Sequence, residues 1–341
     1  MPLGVHTLVD AAAGSDKTTL IVNMMAQASP IIEDMLVTPA NNRLIHKIKM
    51  RTGLPEAVWR RLYKGVPPSK STYATVQESC GLLESVARLD KAELDGVTDK
   101  ANYRLQEAAA HLEAIAQKLD SHFFYGSEKS DPESFTGLSP RYGSLSADTS
   151  ENIINAGGTG TTNTSIWLVT WGNRTMHMFY PEGSKAGIEH TPKDNVEVTD
   201  SSGNLYEVMI DRFVLRLGLA LLDWRYNARI CNVDVSTFGT SSAPTLSNLM
   251  NKAIWKMPTT LRRQTPIEML DDKETQGFLG GKPVFYMNRD AAEELERQVD
   301  EKSGLNISRQ EAAEGGFPVM SYKGIPIHVT DGLLSTESAV S

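Results

Sequence analysis

The clearest pattern of hydrophobic and polar positions lies between residues 99 and 122. Leu105, Ala108, Leu112, Ile115 and Leu119 recur at alternating spacings of three and four. That places them on one helical face, with Arg104, Glu107, Gln117 and Lys118 off it. The spacing predicts a helix from about Asp99 to His122, a rod of roughly 35 Å at ~1.5 Å per residue. A rod with one apolar face supports a domain. Upstream, Leu44, Ile48 and Met50 nearly alternate with Lys47, Lys49 and Arg51, which predicts a half-exposed strand. Thr52-Gly53-Leu54-Pro55 punctuates it, and Gly65-Val66-Pro67-Pro68-Ser69 ends a second, returning limb that carries Trp59 and Tyr63. Residues 36–75 therefore read as a long two-limbed loop. An excursion of that length without a core of its own is usually functional.

Other segments give local signals. Residues 1–35 read as an arm with a short helix, opened at Asp16-Lys17-Thr18-Thr19, striped by Leu20, Met24 and Met25, and stopped by Pro30. A helix is expected over roughly Val76–Leu94. Residues 127–164, rich in Gly, Ser, Thr and Asn, read as loops. Ile166–Trp171 and Thr175–Tyr180 read as a hairpin turning at Gly172-Asn173. Val208–Asn227, apolar nearly all round, is a buried helix or a strand–helix join. Thr245–Met257 is a helix set between Pro244 and Pro258. Val284–Met287 is a strand, Asn288 a cap, and Arg289–Lys302 a helix ending near Gly304. Val319–Thr330 folds as two short strands about Lys323-Gly324.

Charge changes this picture more than composition does. The 341 residues are 40% hydrophobic and 22% charged, ample for one large or two joined domains. The net charge of −8 argues against a dedicated nucleic-acid binder. Yet Arg43, Lys47, Lys49, Arg51, Arg60, Arg61, Lys64 and Lys70 face only Glu56 between residues 41 and 70. That stretch carries +7 and the remainder −15. A split of this kind suits self-association, with a basic loop lying on acidic neighbours. No apolar run approaches the ~20 residues of a membrane span; Phe213–Leu222 is short and contains Arg216. The start of the chain shows no export signal, and Cys80 and Cys231 are too few for a disulfide framework, so a reducing compartment is expected.

Catalytic patterns fail on chemical grounds. Gly14-Ser15-Asp16-Lys17-Thr18 places Asp16 where a phosphate loop needs glycine, and its charge repels phosphate. Ala156-Gly157-Gly158-Thr159-Gly160 lacks the dinucleotide fingerprint. None of the seven histidines has the paired spacing of a zinc site. There is no Gly-x-Ser-x-Gly elbow. Trp59, Trp167, Trp171, Trp224 and Trp255 are too scattered for a stacking platform. The expectation is a protein that is not an enzyme and uses no cofactor or metal.

A longer succession carries a resemblance. Arg51-Thr52-Gly53-Leu54-Pro55 with Trp59-Arg60 and Pro68-Ser69-Lys70-Ser71 is followed by Asn102-Tyr103-Arg104-Leu105 through Phe124-Tyr125-Gly126. Then come Phe135-Thr136-Gly137-Leu138-Ser139-Pro140-Arg141-Tyr142, Glu151-Asn152-Ile153-Ile154-Asn155-Ala156-Gly157-Gly158, Ser165–Gly172 and Tyr180–Gly187. Tyr322-Lys323-Gly324-Ile325-Pro326-Ile327 with Asp331 closes the series. In that order these resemble the tailed-bacteriophage major capsid (major head) proteins. The resemblance implies an α+β fold with an N-terminal arm (1–35), an extended β loop (36–75) and a peripheral domain with a long spine helix (76–136). The rest (137–341) is mainly an axial domain with a central sheet, some segments returning to the peripheral domain.

It implies pentamers and hexamers of an icosahedral head that encloses double-stranded DNA without reading its sequence. Portal and scaffolding proteins are implied as partners, with cement proteins as a further class and no membrane. Residence in the virion after assembly in the bacterial cytoplasm is implied as well. A cargo-enclosing compartment shell of the same fold is the alternative. The residues expected at subunit contacts are Arg43, Lys47, Lys49, Arg51, Trp59, Arg60, Arg61, Tyr63 and Lys64. Some relatives join subunits through Lys–Asn isopeptide bonds. Lys64 and Lys70 lie in the loop, but no acceptor asparagine or catalytic carboxylate is identified, and that chemistry is not carried over.

Overall fold

A computed structural model describes residues 6–7, 25, 29–184, 186–258, 281–301, 307–310 and 319–341. Of the helix read over residues 16–29 only residues 25 and 29 are among them, and the helix end at Lys302–Gly304 lies outside them. β1 (His6–Thr7) pairs antiparallel with β2 (Leu36–Pro39), and between them runs α1 (Pro30–Asp34). Pro30 occupies the first turn of α1, where its missing N–H is no loss, so it opens this helix. Ile31, Ile32, Met35 and Val37 are buried, so this end of the expected arm belongs to the core. Asp34 accepts hydrogen bonds from Tyr286 Oη and Lys282 Nζ at 2.7 Å each, and His328 Nδ1 lies 2.6 Å away. Burial pushes the Asp34 carboxyl up, but His328 and Lys282 together hold it below the usual range.

The loop is a ribbon of β3 (Ile45–Gly53) and β4 (Thr72–Ser79), paired from Ile45–Ser79 out to Gly53–Thr72. β5 (Gly81–Asp90) and a single turn, α2 (Lys91–Asp95), lead into α3 (Lys100–Tyr125). The helix expected over Val76–Leu94 is therefore two strands and a short turn. Burial in β5 alternates, with Gly81, Ala87 and Leu89 inward. The outward positions include Leu82 and Val86, both exposed, which hides the period of two. The long helix stands where the spacing predicts it. Asp99 Oδ1 caps it by accepting from Asn102 N at 3.0 Å. Gly126 ends it, because a Cβ there would lie 2.5 Å from the His122 carbonyl oxygen.

Downstream come β6 (Ile153–Asn155), β7 (Asn163–Trp171), β8 (Met176–Tyr180), β9 (Ile188–Thr199), β10 (Leu205–Leu221) and β11 (Ala228–Asp234). The remaining elements are α4 (Leu246–Lys256), β12 (Lys282–Met287), α5 (Arg289–Glu301), β13 (Ile307–Gln310), β14 (Val319–Tyr322) and β15 (Ile325–Val329). The central sheet runs β1-β2-β8-β7-β12-β15-β14-β13, with β11 also paired to β7 and β6 paired to β11. β7 and β8 are neighbours but meet only at Trp171–Met176. The expected hairpin is thus a turn between strands whose main partners lie elsewhere: β11 and β12 for β7, β10 and β2 for β8. Residues 208–221 are strand, not helix, followed by a turn of 3-10 helix at Trp224–Tyr226. At ~3.3 Å per residue β10 is about 55 Å long. Its first part pairs with β5 and β9, and its last four residues pair with β8.

Each face of the central sheet buries a helix layer, and strand alternation decides which side chain goes where. Trp167, Val169 and Trp171 of β7, with Val284 and Tyr286 of β12, face Leu112, Ile115, Ala116, Leu119, Phe123 and Phe124 of α3. Ile166, Leu168, Phe285 and Met287 face the other way, against Leu249, Met250 and Ala253 of α4 and Ala291 and Leu295 of α5. Buried polar groups lock the layers. Asp120 of α3 accepts from Ser29 Oγ at 3.1 Å, from Gly332 N at 3.1 Å and from Thr330 Oγ1. Burial pushes its carboxyl up. Arg229 Nη2 meets Glu337 Oε2 at 2.8 Å beneath the Trp167 ring, tying the last described residues to β11.

Candidate assembly surface

The residues expected at contacts do not form one cluster. Trp59, Arg60, Arg61, Tyr63 and Lys64 lie together in residues 54–71, which carry neither helix nor strand and join β3 to β4 at the loop tip. The returning limb is β4, so Trp59 and Tyr63 belong to the tip rather than to that limb. Lys47 and Lys49 are exposed on β3; of Arg51 the structure describes the backbone, opposite Tyr73. Arg43 sits at the root with a left-handed φ of 53°, its carbonyl accepting from Glu182 N at 3.0 Å.

The tip is unusual in its exposure. Trp59 and Tyr63 are 104% and 102% exposed, Leu62 82% and Leu54 72%. Within the tip, Ser69 Oγ donates to Glu56 O at 2.9 Å and Lys64 N to Arg61 O at 3.2 Å. Arg60, Arg61 and Lys64 are exposed and form no ion pair among the described residues. Exposed singly, an apolar side chain needs no explanation, but two aromatics and two leucines at one tip mark an interaction surface.

The root, by contrast, is built to hold the ribbon. Glu78 of β4 receives a bidentate pair from Arg141, at 2.6 and 2.8 Å, and the same guanidinium donates to the carbonyls of Thr136 (2.9 Å) and Gly137 (3.1 Å). Such a fork fixes geometry as well as charge. Asn41 clips β3 by exchanging hydrogen bonds with both backbone groups of Lys47 at 2.8 Å. His46 of β3 packs against His177 (centroids 5.5 Å) and Phe179 (5.1 Å) of β8. Burial pushes the His177 ring down to about 4, with His46 adding to the effect, and burial also lowers His46 against the pull of Glu78. Neither Nδ1 has a hydrogen-bond partner among the described residues. Beside the root, burial raises the Cys80 thiol to about 11, which keeps it protonated and unreactive.

Just past the root, a cleft of about 120 Å³ opens between α3, β5, β10 and residues 131–135. Leu83, Leu119, Phe135, Leu215 and Leu217 line it, and Asp131 and Glu133 stand exposed beside it. No contiguous pattern announces this cleft, because its walls come from four separate segments. Further along the same side, Asp211 of β10 receives the Arg104 guanidinium and lies 2.7 Å from His190 Nε2; His190 in turn stacks on Phe213 at 4.7 Å. These contacts tie the β9–β10 ribbon to the N-terminal half of α3. Among the described residues no three acidic, histidine or cysteine side chains converge as a metal site.

Residues 13–341 match the family model for the major capsid protein GP7. A chain of the bacteriophage Epsilon15 structure is 30% identical, with a TM-score of 0.60, over 90% of this chain and 88% of that one. A chain of Mycobacterium phage Bobi is 13% identical, with a TM-score of 0.40, over 59% of this chain and 89% of that one. An encapsulin from Synechococcus elongatus is 10% identical, with a TM-score of 0.43, over 62% and 89%. Among curated proteins none matches the chain.

Proposed function

This chain belongs to the GP7 family of major capsid proteins, and from that premise we propose that its copies associate as pentamers and hexamers into an icosahedral head around double-stranded DNA. It is a phage major capsid protein, a structural component of the virion with the tailed-phage capsid fold. Its work in this reading is self-assembly rather than catalysis. Assembly takes place in the bacterial cytoplasm, with portal and scaffolding proteins as partners. Arg43, Lys47, Lys49, Arg51, Trp59, Arg60, Arg61, Tyr63 and Lys64 serve contacts between subunits. The β3–β4 ribbon is the extended loop. α3, β5, β9 and the first part of β10 form the peripheral domain, and the central sheet with α4 and α5 forms the axial one.

The observation that carries this reading is the loop tip: a rooted ribbon that presents fully exposed aromatics, and cations without an ion-pair partner among the described residues, has no use within its own subunit. Negative-stain microscopy and light scattering of the protein, expressed with its neighbouring phage genes, test it. Closed shells that contain DNA after infection are expected; monomers or dimers under every condition overturn it.

A further inference from the structure

We propose that Arg141 aims the β3–β4 ribbon: its fork onto Glu78 sets the angle at which the loop leaves the subunit, and assembly depends on that angle. The proposal rests on the capsid reading above and adds to it a positioning residue that acts through the loop. Three kinds of contact attach the ribbon to the body. His46 of β3 packs on Phe179, and Ile48 is buried in a cluster with Ala40, Phe179 and Ala220. Apolar burial of this sort is non-directional and tolerates rotation. Ser79 Oγ donates to Glu128 Oε1 at 2.9 Å, a single bond open to solvent. The fork differs from both. Its two parallel N–H···O bonds, at 2.6 and 2.8 Å, leave neither group free to turn. The Glu78 side chain is 9% exposed and that of Arg141 16%, so little water competes for the pair.

The other side of the fork is fixed to the long helix. Arg141 N donates to Leu138 O at 3.0 Å, and the Arg141 carbonyl accepts from Thr149 Oγ1 at 2.9 Å. Leu138 N and Ser139 N donate in turn to the carbonyls of Phe123 and Phe124, at 3.0 and 2.7 Å, in the last turn of α3. Both phenylalanines are fully buried. One guanidinium thus refers the direction of the ribbon to the end of α3. The lever arm magnifies any error at the root. The limbs run eight to nine residues, roughly 30 Å at ~3.3 Å each. On that arm a turn of about 10° at the root carries the tip about 5 Å sideways. A hydrogen bond tolerates only about 0.5 Å, so polar contacts made by the tip need the root held to within a few degrees. Stability makes no such demand, because a buried ion pair exchanged for packed apolar side chains is often neutral.

Two variants separate direction from stability. Arg141→Lys keeps the charge but offers a point donor in place of the fork. Glu78→Leu with Arg141→Met replaces the pair by apolar side chains. Spin labels at Tyr63→Cys on the tip and Lys252→Cys on α4, both exposed positions, report the ribbon angle in the unassembled full chain with Cys80→Ser and Cys231→Ala. Both variants are expected to keep the circular dichroism and melting temperature of the parent chain, to broaden the label-to-label distance by about 5 Å, and to lose the particle peak in sedimentation. An unbroadened distance in either variant overturns the proposal. So does a broadened distance with normal particles, which shows that assembly tolerates the angle. Unfolding of both variants overturns it too, because the pair is then a stability element. Wild-type protein that never assembles removes the capsid reading instead, and the distance measurement still decides whether Arg141 aims the ribbon.

Discussion

Single residues carry two separable jobs in this subunit, packing and protonation. Leu112 is 2% exposed in the core beneath the sheet. Leu112→Ala is expected to cost roughly 2–5 kcal/mol through lost burial and the cavity it leaves. A lowered melting temperature of the unassembled subunit checks it, and an unchanged one shows that the site refills. His177 acts differently. Its ring titrates near 6.5 in an unfolded chain and near 4 in the folded one. Above about pH 6.5 both states are neutral and the residue adds no pH dependence. As the pH falls from about 6.5 to about 4, only the unfolded state takes up the proton, so stability drops, by roughly 3 kcal/mol in full. His46 acts in the same direction. His177→Gln is expected to flatten the slope of unfolding free energy against pH across that window, measured by urea titration; an unchanged slope places the acid sensitivity in other groups. Both histidines lie at the loop root, so the loss is expected there first.

Elements differ in how far their sequence announces them. α3 was legible because its apolar face repeats locally over 26 residues. The β14–β15 turn was legible because Lys323 and Gly324 both take positive φ. β12, the Asn288 cap and α5 follow one another within twenty residues, and the cap bond to Ala291 N is local too. β5 does not announce itself as a strand, because Leu82 and Val86 face outward and apolar residues stand on both faces of a strand fixed by distant β10. β10 was ambiguous because its second half is buried on both sides, where an apolar run does not distinguish helix from strand. β9 escaped because its outward positions are charged and it holds Pro192. The loop ribbon itself makes the element-scale prediction. Gly53 and Thr72 already face each other, so Asn-Gly in place of residues 54–71 closes a two-residue hairpin. The melting temperature is expected to hold, since these residues add nothing to the core, and particle formation to fail. Particles from the trimmed chain dismiss the tip as a contact.

At the scale of the whole molecule, the candidate contact was half legible. The basic stretch is contiguous in sequence, and its excess over residues 41–70 is visible without a structure. The acidic side is spread over the rest of the chain, and only folding brings Asp131 and Glu133 beside a cleft walled by α3, β5 and β10. This asymmetry sets how assembly responds to salt. Bodies carrying −15 repel one another, while loops carrying +7 attract them. Salt weakens both terms, so their ranges decide the outcome. At 0.15 M the Debye length is about 8 Å, and repulsion between charges spread over whole bodies is already largely screened. Raising salt to 1 M shortens that length to about 3 Å and reaches the close pairs that the proposed contacts of the loop cations would make instead. Half-exposed pairs are worth ~0–1 kcal/mol each, so two of them are expected to lose about 1 kcal/mol together. That corresponds to a roughly fivefold rise in the subunit concentration at which particles form. Light scattering at 0.15 and 1 M sodium chloride measures it. Arg60→Gln with Arg61→Gln is expected to assemble more weakly at low salt and to lose most of the salt dependence, because its remaining contact is the apolar one of Trp59. Equal salt dependence in variant and wild type assigns the effect to body charges and excludes these two arginines as its source.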